Sequence, residues 1–329
     1  MLSNESISSA EKPLVSVLIP AYNHERYVQE TIRSIIAQTY KNIELLIIDD
    51  GSPDSTWEKI NELKEECEQR FIRVIFQKQE NGGSVAALNR LFELSQGKYV
   101  YLIASDDVAF PNAIQMQSEF LEEHSEYALV IGDNIFIDEN SQEVVLDENL
   151  NRATESSRYR FKTFHQQKVF STPHIKMDYD NYCSYNSIIL TGYVVNGHLI
   201  RRSALEQIEG FTAEAPGEDW YLILQLSKYY RMKFLDTPLF YYRRHLSNSF
   251  IPSHTLWGNL CLVLHFYSWS GYSNQQIAIY KRYLKTFLYE KKAWRKKHPY
   301  IGIFIWWYYR FFYVPYQRIK YRLCLMIYR

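Results

Sequence analysis

The chain has 329 residues, of which 47% are hydrophobic and 22% are charged, and its formal net charge is zero. This composition is that of a globular protein with a sizeable core, and it excludes a wholly disordered chain. The length suits one large α/β domain with an appendage. Aromatic residues make up 16% of the chain, which suits carbohydrate stacking or a membrane interface without deciding between them.

Short β-branched runs alternate with helical patterns through the first 120 residues. Strands are predicted at Val15–Ile19, Ile43–Ile48, Ile72–Phe76 and Tyr99–Ile103. Helices are predicted at Tyr27–Ile36, from an N-cap at Asp54 through Leu63, at Ser84–Leu94, and from Pro111 onward. The alternation predicts an α/β fold with a doubly wound, mostly parallel sheet and helices on both faces.

A polar cluster follows each predicted strand. The clusters are Pro20-Ala21-Tyr22-Asn23, Asp49-Asp50, Asn81-Gly82-Gly83 and Asp106-Asp107. Ligands of such sheets bind beyond the carboxyl ends of the strands, so we expect one crevice there. Two unit charges about 4 Å apart repel by roughly 4 kcal/mol at an effective dielectric near 20, so the Asp pairs need a cation or hydrogen-bond donors. A divalent metal facing a diphosphate would meet that need; a turn and a helix-entry loop are the alternative.

The second half of the chain is less regular. Between about residues 140 and 190 the pattern loosens into an insertion or acceptor-side region without predicted elements. Periodicity returns at Val194–Ile208, and a helix is predicted at Trp220–Tyr230, behind Glu218 and Asp219. By spacing alone, this acidic pair suits the start of a helix, where the macrodipole favours negative charge.

Positive charge is concentrated at the C-terminal end. Residues 281–329 hold thirteen Lys and Arg against the single acid Glu290, a net of +12. The basic and aromatic side chains that suit an anionic membrane surface are Lys291, Lys292, Arg295, Lys296, Lys297, Trp306 and Trp307. We therefore predict a helical, membrane-associating region over 251–329; a helical pair packed on the catalytic domain is the alternative. Nucleic acid is not an expected partner, because the charge is confined to a tail and no nucleic-acid motif accompanies it.

Two further features bear on location. Residues 1–11 lack the basic start and apolar stretch of a signal peptide, so we expect the protein to stay in the cytosol, peripheral to the cytoplasmic face of the plasma membrane. The longest charge-free apolar run, Pro299–Tyr309, is well short of the roughly 20 residues of a transmembrane helix. The four cysteines are scattered, which indicates reduced structural thiols.

A series of motifs from about Pro13 to Asn248 resembles family 2 glycosyltransferases with the GT-A fold. They are Val15 to Asn23, Ile48-Asp49-Asp50-Gly51-Ser52, Asn81-Gly82-Gly83, Ala104-Ser105-Asp106-Asp107, Gly217-Glu218-Asp219-Trp220 and Tyr242-Arg243-Arg244-His245. The resemblance implies a catalytic domain over 13–250 after a flexible N-terminus at 1–12. Its nucleotide-binding half would span about 13–135 and its acceptor half about 136–250.

The resemblance also implies roles for individual residues. The nucleotide-sugar would lie against Pro20, Ala21, Tyr22, Asp50, Asn81, Gly82 and Asp106. Tyr22 would offer a stacking face, Asp50 an acceptor for the base's imide hydrogen, and Asp106 would face the ribose. Asp107 would hold Mg²⁺ or Mn²⁺, and His245 matches a late histidine near the metal or diphosphate, for which a structural role is equally open.

Catalysis in the family pattern falls to Asp219, as the general base of an inverting displacement. Glu218 and Trp220 would lie on the acceptor side. One departure stands out: the family commonly has Arg where this chain has Leu88, so a phosphate contact is missing or supplied by Arg90, Arg243 or Arg244.

The predicted activity is metal-dependent, inverting transfer of a hexose from a UDP-sugar to a polyprenyl-diphosphate-linked saccharide. The motif at Ala104–Asp107 most resembles bacterial O-antigen glucosyl- and galactosyltransferases, which favours UDP-glucose or UDP-galactose. Two alternatives stay open. One is a nucleotidyltransferase on a similar sheet, disfavoured because no Gly-rich phosphate loop follows the first strand. The other is a non-catalytic, membrane-tethered sugar-nucleotide binder.

Overall fold

The computed structural model describes residues 12–147, 151–171, 197–208, 210–211 and 218–245. The chain divides into two units, Met1–Ala213 with Glu218–Asn248, and Glu214–Gly217 with Ser249–Arg329. All described residues belong to the first unit. The predicted N-terminal segment before Lys12 and the predicted membrane-associating region over 251–329 lie outside them.

Eight strands form one sheet. In chain order they are β1 (Val15–Ala21), β2 (Ile43–Asp49), β3 (Arg73–Lys78), β4 (Tyr99–Leu102), β5 (Val108–Ala109), β6 (Tyr127–Ile137), β7 (His198–Arg201) and β8 (Arg231–Arg243). Their order across the sheet is β3-β2-β1-β4-β7-β6-β8-β5.

The helices follow the strands along the chain. They are α1 (Val28–Ile36), α2 (Thr56–Asn61), α3 (Lys64–Arg70), α4 (Ser84–Leu94), α5 (Ala113–Glu123), α6 (Phe164–Ser171), α7 (Arg202–Leu205) and α8 (Glu218–Tyr229). Helix α4 packs against β1 and β2, and α5 packs against β6 and β7. No helix of the described ranges is both long enough and apolar enough to cross a bilayer.

The half of the sheet nearest the N-terminus is parallel, as the alternation predicts. Strands β3, β2, β1 and β4 all run in one direction, with Ile19 opposite Ile47 and Val17 opposite Tyr101. Every residue of β2 is buried. Continuous apolar runs of this kind are typical of parallel strands covered on both faces.

The other half of the sheet is mixed, so the parallel order is unbroken only from β3 to β4, although four of the seven neighbouring strand pairs are parallel, as predicted. Strand β7 is antiparallel to both β4 and β6, and β5 is antiparallel to β8, while β8 is parallel to β6. The alternation of strand and helix stops after β4, because β5 begins at Val108 with no crossover helix before it. The strand pattern of β6 is interrupted by the buried polar residues Asp133 and Asn134.

Local chemistry sets two boundaries in the parallel half. Asp54 accepts a hydrogen bond from the Thr56 amide at 3.0 Å, but the N-cap residue of α2 is Ser55 rather than the predicted Asp54, and the helix ends at Asn61 rather than Leu63. Strand β3 begins at Arg73, one residue after the predicted Ile72, whose side chain is 62% exposed.

A buried carboxylate at the amino-terminal edge shows what a purely structural acid looks like in this fold. Glu44 on β2 is fully buried and accepts hydrogen bonds from the Ser16 hydroxyl at 2.5 Å and from the Gly97 amide at 3.1 Å. It also forms an ion pair with Arg73 at 2.6 Å. Protein donors thus compensate its charge, and no ligand is needed there.

Candidate active site

The polar clusters of the sequence meet at one edge of the sheet. Because β1 to β4 are parallel, their carboxyl ends lie side by side. The Asp50 amide donates to the Ala21 carbonyl at 2.9 Å, and the Gln79 amide donates to the Asp49 carbonyl at 2.9 Å. These bonds continue the strand pairing into the loops, so the loops after β1, β2 and β3 are in direct contact.

Asp49 holds the loop after β2 together. Its carboxylate accepts a hydrogen bond from the Ser52 hydroxyl and lies 3.5 Å from the Lys78 ammonium. The Ser52 oxygen in turn accepts from the amide of Asn23 at 2.9 Å. Asn23 has a φ of 56°, in the left-handed region that Asn tolerates better than most residues. Asp49 therefore ties the loop after β1 to the loop after β2.

Asp50 reaches across to the glycine pair before α4. One of its oxygens accepts from the Gly82 amide at 2.9 Å and from the Gln79 side chain at 2.7 Å, and the other accepts from the Gly83 amide at 2.8 Å. A carboxylate has about four lone-pair positions, so one further donor can still be accepted. The negative charge also lies at the start of a helix, where the macrodipole stabilises it.

The loop after β2 requires glycine at position 51, both for its backbone conformation and for the space around it. Gly51 has a φ of +72°, and a Cβ atom there would lie 2.8 Å from the amide nitrogen of Asn81. A larger residue would be strained in conformation and would push the Asn81 loop away from β2. Asn81 itself is exposed at the tip of this loop.

The loop after β1 presents an exposed ring. Ala21 is buried and Pro20 is half-buried, whereas the Tyr22 side chain is 47% exposed. An exposed aromatic ring can stack on one face of a heterocyclic base, and the Asp50 carboxylate in the neighbouring loop can hydrogen-bond the edge of such a base. The predicted nucleotide residues Tyr22, Asp50 and Gly82 therefore lie together at the sheet edge.

Asp106 lies between two histidines from distant parts of the chain. Its Oδ2 is 2.9 Å from Nε2 of His245 and 3.8 Å from Nε2 of His24. One potential ligand atom from each of these residues lies within 4.8 Å of the others. The sequence indicated Asp106 and His245 but not His24, whose only sequence signal is its place directly after the Tyr22-Asn23 cluster.

Other residues fix the orientation of His24. Its Nδ1 is 2.8 Å from the buried Ser105 hydroxyl, and its amide donates to the Thr56 hydroxyl at 2.8 Å. The ring of His245 packs against Tyr27, with centroids 4.8 Å apart. The ring nitrogens that face Asp106 are therefore held in place before any ligand arrives.

Burial and charge act in opposite directions on the ionisable groups here. Burial alone would raise the pKa of Asp106, but the hydrogen bond from His245 and the nearby imidazole of His24 hold that pKa below its usual value. Burial lowers the pKa of His24, although the Asp106 charge opposes this shift. Asp106 is therefore an anion at neutral pH, beside a histidine biased toward its neutral form. A carboxylate and neutral imidazoles are competent metal ligands.

Asp107 is almost completely buried, and one of its oxygens accepts from the Arg243 amide at 2.9 Å. Its main-chain carbonyl accepts from the Thr31 hydroxyl at 2.7 Å. The structure thus places Asp107 directly beside Asp106, within the same loop, while His24 and His245 gather around Asp106. The assignment of Asp107 to a metal remains a prediction.

Arg243 is not available to a phosphate. It is fully buried at the end of β8, where its Nε donates to the Asp106 carbonyl at 2.7 Å and a terminal nitrogen pairs with Glu30 at 2.6 Å. Arg90, another residue considered for a phosphate, lies on the exposed face of α4 and pairs with Glu93 at 3.3 Å. Leu88 is buried in the same helix, so α4 supplies an apolar contact where the resembling family commonly has Arg.

The predicted base lies at the start of α8. Asp219 is half-buried, and the side chains of Glu218 and Trp220 lie outside the description. Hydrogen bonds to the carbonyls of Gly210 and Phe211 connect helix α8 with helix α4. Gln225 donates to the Gly210 carbonyl at 2.9 Å, and Asn89 of α4 donates to the Phe211 carbonyl at 3.2 Å.

Comparison of the sequence with models of protein families matches the chain to one family. Residues 16–187, just over half of the chain, match the model of glycosyl transferase family 2. An uncharacterized glycosyltransferase of Methanocaldococcus jannaschii is 32% identical over 171 residues, which are 51% of this chain and 55% of that relative. TuaG of Bacillus subtilis, whose name assigns it to teichuronic acid biosynthesis, is 37% identical over 114 residues, 35% of this chain and 44% of TuaG. The matches therefore span about half or less of these curated relatives.

Solved structures share the fold. S. aureus TarS 1–349, in complex with UDP-GlcNAc, has a TM-score of 0.56 at 16% identity, over 86% of this chain and 77% of that one. The mannosyltransferase PcManGT of Pyrobaculum calidifontis, in complex with GDP-Man and Mn²⁺, has a TM-score of 0.53 at 13% identity, over 92% of this chain and 84% of that one. These likenesses establish a GT-A arrangement of the mixed sheet and its helices.

Proposed function

This chain belongs to glycosyl transferase family 2, and on that premise we propose that it is a glycosyltransferase that transfers a hexose from a UDP-sugar to a membrane-held glycan. The observation that carries the donor assignment is the corner formed by Tyr22 and Asp50. It pairs an exposed ring with a carboxylate that can accept one more hydrogen bond. A uracil offers a flat face and an imide N–H, which match these two groups.

In this proposal, the base and the diphosphate of the donor lie at different positions along the sheet edge. The base lies against Tyr22 and Asp50, and the diphosphate lies toward the end of β4, where Asp106 and Asp107 follow the strand. A complexed divalent ion, Mg²⁺ or Mn²⁺, would supply charge neutralisation for the leaving diphosphate. We propose that Asp106 and His245 would hold it, with the predicted metal residue Asp107 next to Asp106 in the same loop; carboxylate oxygen and imidazole nitrogen fit such an ion.

The transfer step is a displacement with inversion. The acceptor hydroxyl oxygen forms a bond to the anomeric carbon while the bond from that carbon to the diphosphate oxygen breaks, and the electron pair leaves with UDP. Asp219 takes the hydroxyl proton. Its position at the first turn of α8 favours a carboxylate, and α8 is linked to α4 through Gly210 and Phe211.

We further propose that the acceptor is a polyprenyl-diphosphate-linked saccharide of surface polysaccharide synthesis, met at the cytoplasmic face of the plasma membrane. Two observations support this. The C-terminal residues 281–329 carry a net charge of +12 among aromatic residues, which suits anionic headgroups. TuaG, a relative over 114 residues, is named for teichuronic acid biosynthesis.

Donor and activity are tested together with a panel of UDP-sugars. Purified protein is incubated with each donor, Mn²⁺ and bacterial membrane extract as the source of acceptor, and released UDP is measured. We expect UDP release with UDP-glucose or UDP-galactose that depends on the extract. Binding of UDP without extract-dependent release from any donor would instead favour a non-catalytic sugar-nucleotide binder.

A further inference from the structure

We infer that His24 is a metal ligand and that it forms, with Asp106 and His245, a two-histidine, one-carboxylate site that prefers Mn²⁺ and other first-row transition ions to Mg²⁺. The inference deepens the proposed function, because it concerns the ion that would face the donor diphosphate. It adds a residue from the loop after β1 for which no metal role was predicted from the sequence.

The distances among the three side chains suit one ion. Metal bonds to nitrogen and oxygen are about 2.0–2.2 Å long, so two ligands of one ion lie no more than roughly 4.4 Å apart. Asp106 Oδ2 is 2.9 Å from His245 Nε2 and 3.8 Å from His24 Nε2, and the whole set lies within 4.8 Å. Sub-ångström movements of the rings would therefore bring all three donors onto one ion.

The surroundings of His24 are those of a ligand that is already oriented. Metal-bound histidines usually direct the second ring nitrogen to a hydrogen-bond partner, which fixes the ring and its tautomer. Nδ1 of His24 has such a partner in the Ser105 hydroxyl at 2.8 Å, so Nε2 faces Asp106. Ser105 is the residue directly before Asp106 and is buried, so one short loop carries both the carboxylate ligand and the group that orients the histidine.

The donor set decides the preference among ions. Mg²⁺ binds to oxygen ligands and retains water, whereas imidazole nitrogen suits first-row transition ions. Two imidazoles with one carboxylate therefore favour Mn²⁺, Co²⁺ or Zn²⁺ at this site. The site is also complete without a nucleotide, so the protein alone should bind the ion.

The test is Mn²⁺ binding to the full chain without nucleotide, after EDTA treatment and dialysis. Loss of the free-ion EPR signal gives the affinity, and pulsed EPR detects directly coordinated imidazole nitrogen. We expect His24→Ala to weaken Mn²⁺ binding by at least about 10-fold, the lower bound for losing even an outer-shell partner, and to reduce the imidazole signal. His24→Asp should reduce the Mn²⁺-over-Mg²⁺ preference, because it leaves one imidazole, that of His245, beside two carboxylates.

His124→Ala is the matched control, since His124 lies at the end of α5 and its Nδ1 contacts the Phe120 carbonyl at 3.0 Å. It should bind Mn²⁺ as the parent does. Should His24→Ala lower the thermal midpoint, His24→Asn, which retains a polar side chain for Ser105, replaces it. Equal Mn²⁺ affinity and equal imidazole coupling in the parent and the His24 variants would overturn the inference and leave the transferase proposal intact. Normal Mn²⁺ binding through His24 without turnover of any UDP-sugar would overturn the transferase proposal alone.

Discussion

Arg243 Nε donates a 2.7 Å hydrogen bond to the main-chain carbonyl of Asp106, although 137 residues separate the two in the chain. The same guanidinium, fully buried, pairs with Glu30 at 2.6 Å and lies over the ring of Tyr27. The end of β8 therefore fixes both the loop that carries the aspartate pair and the start of α1.

Removal of this guanidinium should destabilise the catalytic domain. Arg243→Met keeps most of the side-chain volume but leaves the Asp106 carbonyl without its donor. We expect the free energy of unfolding to fall by roughly 2–4 kcal/mol, because buried polar groups lose their partners. Urea unfolding followed by circular dichroism measures the loss. Arg90→Met is the control: Arg90 and its partner Glu93 are 48% and 64% exposed, so a change below about 1 kcal/mol is expected there. Equal stability of the Arg243→Met variant and the parent would show that the buried contacts are not required.

Metal dependence can be tested at Asp107. EDTA should abolish sugar transfer, and Mn²⁺ or Mg²⁺ should restore it. Asp107→Ala should require a much higher metal concentration for activity, because a carboxylate beside the diphosphate is lost. The measurement is initial rate against metal concentration for both proteins. Full activity in metal-free buffer, or an unchanged metal requirement in the variant, would contradict the assignment.

Membrane attachment can be tested on the basic C-terminal residues. We expect co-sedimentation with anionic vesicles that weakens as salt rises, since Debye screening shortens the reach of surface charge. Vesicles of neutral lipid serve as the control. Replacement of Lys291, Lys292, Arg295, Lys296 and Lys297 by Gln removes five charges and should release most of the protein. Unchanged sedimentation of this variant, or of a folded chain that ends at Glu290, would show that another part of the protein binds the membrane.

Cys67 should be inert in the folded protein. It is fully buried in α3, and burial, with the neighbouring Glu66 and Glu68 charges, raises the pKa of its thiol to about 12. The reactive thiolate is therefore scarce below pH 9. Iodoacetamide at pH 8, followed by peptide mass spectrometry, should leave Cys67 unmodified until urea unfolds the chain. Rapid labelling without urea would show that α3 does not cover this part of the core.

The parallel half of the fold was predictable because its signals are local. A run such as Leu45–Ile48 is apolar throughout, and the polar residues that follow it can only lie at the strand end. The mixed half was not predictable, because its strands are defined by pairing with strands that are distant in the sequence and not by a local residue pattern. Strand β6 carries Asp133 and Asn134, and β8 contains Asp236 and Pro238, so neither has an unbroken strand pattern.

The candidate site also has some residues whose positions could be predicted from the sequence and others whose positions could not. Tyr22, Asp50 and Asp106 follow apolar strands, and their positions could be predicted. The role of Asp50 in holding the amides of Gly82 and Gly83 depends on a loop 32 residues away, and His24 meets Ser105 only through folding. From the sequence, Arg243 is a candidate phosphate ligand because its side chain is positively charged. Only its complete burial in the structure shows that it is a structural residue.

The central claim is that this edge of the sheet transfers a sugar with Asp219 as the general base. Asp219→Asn keeps the size of the side chain and removes its basicity. The measurement compares initial rates with a lipid-linked acceptor and calorimetric UDP binding, for this variant, for Glu218→Gln and for the parent.

We expect Asp219→Asn to lose about 10²- to 10⁴-fold in rate, the usual contribution of a positioned base, while UDP affinity and the circular dichroism spectrum stay close to those of the parent. Glu218→Gln should lose far less. Near-normal turnover by Asp219→Asn would contradict the account, and a collapse in Glu218→Gln alone would assign the base to the neighbouring carboxylate.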